Sequence, residues 1–171
     1  FADDESVAQT ITTEDARLAT RYAVNEMNGY PAWLTILSSQ RPSDVAGILD
    51  ECVRGEWTYA SGRERTYDVL AQLNWEGGKL AKLARAAVLD TLEQRDPPNQ
   101  DILEHAVSIL LKTIELPATR LTNVALSRCR ATPLDSGSFA LWAGVGLQLD
   151  AEATLNILGE RLESGATADK I

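Results

Sequence analysis

The chain is 171 residues long, with 16 Lys and Arg against 25 Asp and Glu, for a formal net charge of −9. That length suits one domain or one stretch of a repeat array, and an apolar fraction of 44% belongs to a folded chain rather than a disordered one. The acidic balance argues against a general nucleic-acid or anionic-membrane binder, and two cysteines with one histidine leave little for zinc sites, disulfide frameworks or histidine-based catalysis.

The chain opens FADDESVAQT, with three acids in its first five residues, where a signal peptide would show a basic start and an apolar run. Starting at Phe1 rather than Met, it reads as a processed or excised piece. Residues 1–12 read as a solvated acidic tail. Thr13-Glu14-Asp15 then begins a helix that uses Ala16, Ala19, Ala23 and Met27 and stops at Asn28-Gly29. Pro31 begins a short helix with Trp33, Leu34 and Leu37. Pro42-Ser43-Asp44 leads the next, where proline and an acid suit the first turn, and Val45, Ile48, Leu49, Cys52 and Val53 form its stripe.

A further helix is expected from Arg63 to Trp75, ending before Gly77-Gly78, and another from Lys79 to Gln94. The clearest stripe follows Pro97-Pro98-Asn99: Leu103, Ala106, Val107, Leu110, Leu111 and Ile114, closed by Pro117. Leu121, Val124, Ala125 and Cys129 mark the next helix. Phe139–Leu149, the longest apolar stretch, falls well short of the ~20 residues that span a bilayer and reads as a buried core helix. Ala151 to Glu163 ends the series, and 165–171 reads as a second tail. No window alternates polar and apolar residues around a hairpin turn, so the expected fold class is all-α.

Expected helix starts near 13, 31, 42, 63, 78, 99, 117, 136 and 150 make a helix pair about 35 residues long, the size of a helical-repeat unit. The expectation is one domain over 13–164, an α-solenoid-like stack of about four antiparallel pairs; a closed multi-helix bundle gives the same periodicity. Cys52 and Cys129 fall on apolar faces and read as reduced core thiols of a cytoplasmic protein.

The chemistry-bearing residues are sparse. His105 shares a helix face with Asp101, which suits a carboxylate-oriented base, but no nucleophile is placed beside it, and a partly exposed helix-surface ion pair is the preferred reading. The acid pairs Glu14-Asp15, Asp50-Glu51 and Glu160 with Glu163 read as solvation. Gly77-Gly78-Lys79 lacks the preceding strand and trailing hydroxyl of a phosphate loop and reads as a helix-to-helix turn with the first glycine as C-cap. Gly144 and Gly146 suit close helix packing. Basic residues gather at Arg63, Arg65, Lys79, Lys82 and Arg85, and Trp57, Tyr59 and Trp75 fall at helix ends, with Tyr67 nearby. Of these, Trp57, Tyr59, Tyr67, Arg63, Arg65, Lys79, Lys82 and Arg85 form the expected interaction surface. No catalytic residue, metal ligand or cofactor site is assigned.

Asn28-Gly29-Tyr30-Pro31-Ala32-Trp33, followed by Pro42-x-x-Val45-x-x-x-Leu49, resembles degenerate helical repeats of the HEAT type. More narrowly, it is similar to repeat regions appended to large bacterial NTPases of the NACHT/STAND kind, over about residues 13–60. The resemblance implies a sensor or scaffold region, with ATP hydrolysis elsewhere in a parent chain, and no catalytic residue carries over. The expected function is therefore non-enzymatic recognition of a protein or peptide, with no membrane and no nucleic acid as partner. The alternatives are a small helical metal-dependent enzyme built on clustered carboxylates, and a structural or oligomerisation module.

Overall fold

The computed structural model describes residues 10–26, 29–58, 69–113 and 118–168, with side chains described as far as 164. Among them the protein is all-α, with nine helices and no strand. In chain order these are α1 (Thr13–Ala23), α2 (Ala32–Gln40), α3 (Pro42–Glu56), α4 (Val69–Glu76), α5 (Gly78–Gln94), α6 (Gln100–Thr113), α7 (Thr119–Ala131), α8 (Gly137–Leu149) and α9 (Ala151–Ala168). Apart from α4, whose expected start at 63 lies outside the described residues, each begins within two residues of its expected position.

Local chemistry explains the starts. The Thr12 hydroxyl accepts the Asp15 N–H at 3.1 Å, and Glu14 and Asp15 favour the positive end of α1. Pro42 opens α3 with its fixed φ. Ser136 caps α8 by accepting the Phe139 N–H at 3.2 Å, and Asp150 caps α9 by accepting that of Ala153 at 3.0 Å.

The chain divides into two compact units, Phe1–Thr113 and Ile114–Ile171, where the sequence reads one domain over 13–164. In the first, alternate helices pack on one another: α3 lies against α1 and α5, and α4 against α6. α3 is the most connected, touching α2 and α4 as well, and its expected stripe Val45, Ile48, Leu49 and Val53 is fully buried. Cys52 on its flank is half-buried and free. α6 buries Leu103, Ala106, Val107 and Leu110, four of the stripe residues expected there.

In the second unit α7, α8 and α9 pack mutually. Gly146 permits the close approach of α8 to α9, since a Cβ there would meet Thr154 Oγ1 at 2.6 Å. Gly144 faces open space and has no such role. α8 was expected to be buried as a whole. Only one face is: Trp142 and Val145 are enclosed, whereas Leu147 is 41% exposed. Arg161 of α9 ties the unit together, donating to the Cys129 and Thr132 carbonyls at 2.5 and 2.7 Å while lying over the Phe139 ring.

One buried charge sets the path of the first unit. Glu56, the last residue of α3, is 4% exposed, and its carboxylate accepts the N–H groups of Val69 and, at 3.0 Å, Leu70. These are two of the N–H groups that the first turn of α4 leaves without helical partners. The Tyr30 hydroxyl donates to the Val69 carbonyl at 3.3 Å, so α4 is held from both sides of its first peptide.

Two expectations follow for stability. Glu56→Ala leaves buried donors unpaired and should lower the unfolding free energy by about 3 kcal/mol, with Glu56→Gln costing less because one acceptor survives. Urea titrations of both variants check this. Burial, then the nearby Glu56 carboxylate, raises the Tyr30 phenol above its ordinary 10 and the Cys52 thiol above its ordinary 9. Both groups therefore hold their protons more tightly folded than unfolded. Their contribution is fully present below the unfolded-state values and is lost as pH rises towards the folded-state ones. Urea midpoints should fall on going from neutral pH to about pH 11, with the Tyr30→Phe variant showing a shallower fall above about pH 10.

Candidate functional site

The feature most suited to recognition sits where α4 turns into α5 beside the last turns of α6. Gly77 and Gly78 make that turn without a connecting loop. A side chain on Gly77 would run into the Leu73 backbone, and Gly78 takes φ +38°. Gly77 directly follows α4 and donates to the Leu73 carbonyl at 3.1 Å, as expected of its C-cap, and the left-handed residue is Gly78, where α5 begins.

Just before the turn, Asn74 clamps α4 to α6. Its Oδ1 accepts from Ser108 Oγ and from Lys112 Nζ, both at 2.7 Å, and its main-chain carbonyl accepts from the same ammonium at 2.8 Å. Lys112 can only donate, which fixes the amide orientation and leaves Nδ2 facing His105 Nδ1 at 3.2 Å. Nδ1 is then the acceptor, and a neutral His105 carries its proton on Nε2. His105, Ser108 and Lys112 are spaced i, i+3, i+7, so one face of α6 supplies all three partners. His105 also meets the Trp75 ring edge-on, with centroids 5.8 Å apart and planes at 81°.

Trp75 is therefore positioned, yet it remains 72% exposed. Around it runs an open groove of about 540 Å³, with Leu73, Ala81 and Ile109 among its apolar lining and Lys79, Lys82 and Lys112 contributing positive charge. A volume of this order lies within the range of ligand and peptide pockets. None of the three lysines has an ion-pair partner among the described residues. The arginines from Arg17 to Arg54 differ: Arg17 and Arg21 share Glu51 at 2.6 and 2.9 Å, Arg41 holds Asp44 at 2.7 Å, and Arg54 holds Asp50 at 3.0 Å. Arg21 beside Glu51 keeps that carboxyl below the usual carboxylate range.

The expected interaction residues separate accordingly. Lys79 and Lys82 are exposed on the groove. Arg85 lies half-buried, donating to the Thr113 carbonyl at 3.0 Å and so joining α5 to the last described turn of α6. Tyr59, Arg63, Arg65 and Tyr67 lie outside the described residues. Trp57 is a correction: it is 1% exposed, and its indole N–H donates to the Arg95 carbonyl at 2.9 Å, so it packs the core instead of meeting a partner. The tryptophan on the surface is Trp75. Its signal was readable: α4 buries Val69, Leu70 and Leu73, and two residues beyond Leu73 is a rotation of about 200°, off that stripe.

Other chemistry does not assemble among the described residues. No three His, Cys, Asp or Glu side chains converge as a metal site would require. Both cysteines are free, and burial pushes both thiols up, away from the low values of reactive cysteines. No described helix is long and apolar enough to cross a membrane. Compared with known proteins, the chain matches no family model, no curated sequence and no solved structure.

Proposed function

We propose that the chain is a non-enzymatic interaction module, a scaffold or sensor region of a cytoplasmic protein, and that it receives a protein or peptide segment in the groove between α4, α5 and α6. The observation that carries this reading is Trp75, a large aromatic side chain braced by His105 and the Asn74 clamp yet left 72% exposed beside an apolar groove. Rigid, amphipathic aromatics of this kind are the commonest anchors of protein interfaces. The packing of alternate helices in the first unit supports a HEAT-like arrangement, in which recognition along one face is the usual work.

Selection of randomised twelve-residue displayed peptides on the immobilised 171-residue chain tests the reading. Enriched sequences should bind the purified protein, and Trp75→Ala should weaken them by about tenfold or more, the size of a hot-spot loss. A selection that enriches nothing, or binders indifferent to Trp75, would count against it.

A second reading rests on the second unit. Leu155 and Leu162, two turns apart on α9, are 59% and 66% exposed, and Leu147 of α8 adds to the apolar surface. Such a surface suits self-association. Light scattering during size-exclusion chromatography decides it: a dimer that dissociates in Leu155→Glu/Leu162→Glu supports an oligomerisation module, and a monomer across the accessible concentration range removes it.

A further inference from the structure

We infer that the occupant of the α4–α6 groove is an acidic peptide segment carrying an apolar or aromatic side chain, an inference that rests on the interaction-module reading and specifies its partner. The charge distribution points there. The protein carries a net −9, and its arginines from Arg17 to Arg54 sit in ion pairs with neighbouring carboxylates. Against that background Lys79, Lys82 and Lys112 line one groove with no carboxylate partner among the described residues.

Their surroundings leave them available. Lys79 and Lys82 are spaced i, i+3 at the start of α5, where the helix dipole also favours an arriving anion. Lys112 is fixed by the Asn74 oxygens at 2.7 and 2.8 Å, neutral acceptors that orient the ammonium without cancelling its charge. The acid nearest Lys79 in sequence, Glu76, turns away: a Cβ on Gly29 would collide with its carboxylate, which places that carboxylate beside Gly29, ahead of α2.

The apolar component selects the kind of anion. Trp75, 72% exposed, stands over the same space and supplies its apolar surface, with the buried Leu73, Ala81 and Ile109 closing the floor beneath. A free phosphate uses the lysines and leaves this surface wet. A peptide with acids flanking a Leu or Phe uses both, its carboxylates meeting the ammonium groups while the apolar side chain covers Trp75. A single-stranded nucleic acid would also combine stacking with charge, but a long polyanion must approach a protein of net −9.

Fluorescence anisotropy on the full chain separates these cases with four labelled probes at matched length: an Asp/Glu-rich peptide with a central Phe, its Asn/Gln counterpart, its Lys counterpart, and an oligothymidine. The acidic peptide should bind at least about tenfold more tightly than the amide version. Raising the salt from about 50 to about 300 mM should weaken that binding, as expected for contacts between exposed charges. Lys79→Glu/Lys82→Glu should abolish the preference with the circular dichroism unchanged, since both side chains are exposed. Equal binding of the amide or Lys peptide would overturn the acidic assignment while leaving the interaction module intact. Strongest binding of the oligothymidine would overturn it in favour of a single-stranded nucleic acid. No binding of any probe would overturn it as well, and the displayed-peptide selection then decides separately whether the groove recognises peptides at all.

Discussion

The first unit depends on a carboxylate taken out of water. Glu56 ends α3 and accepts the N–H groups of Val69 and Leu70, the first described residues of α4, so one side chain joins the two helices. Burial makes the arrangement costly to disturb, because a charge in the interior is tolerated only while its hydrogen bonds hold. It also fixes direction. With the start of α4 held against the end of α3 and Tyr30 bound to the Val69 carbonyl, the far end of α4 has one place to go. That place is the face of α6 on which His105, Ser108 and Lys112 await Asn74.

The groove is thus a consequence of connectivity rather than of any motif. Asn74 locks the last turn of α4, two glycines reverse the chain, and α5 starts at once with Lys79 and Lys82 exposed. A longer connection would separate tryptophan from lysines. The same compactness explains why Arg85 is no part of the exposed set: one turn beyond Lys82 the guanidinium is used on the Thr113 carbonyl of α6.

The second unit is built on different terms. Its helices meet through a glycine, a fully buried tryptophan and an arginine that gathers the end of α7. Apolar residues exceed the places available to bury them, and Leu147, Leu155 and Leu162 are left outside. Surface apolar side chains are ordinary one by one. Two on one face of α9, seven residues apart, are the part of this unit that invites a partner.

Helix identity and most helix boundaries were legible in the chain itself, because spacing of Val45, Ile48, Leu49 and Val53, or of Leu103, Ala106, Val107 and Leu110, depends only on the 3.6-residue turn. Proline, capping hydroxyls and glycine pairs marked the ends for equally local reasons. Lys79 and Lys82 were legible as part of a basic cluster, whereas Lys112 joins them only through the packing of α6. What the sequence left undecided was which tryptophan faces out: Trp57 and Trp75 both close a helix, and only packing puts the first against Arg95 and the second against water. Periodicity likewise marked α8 as apolar throughout without saying that just one of its faces finds neighbours. The burial of Glu56 was invisible for the deepest reason. Its partners lie thirteen and fourteen residues away, and a carboxylate is worth burying only where backbone donors arrive to receive it.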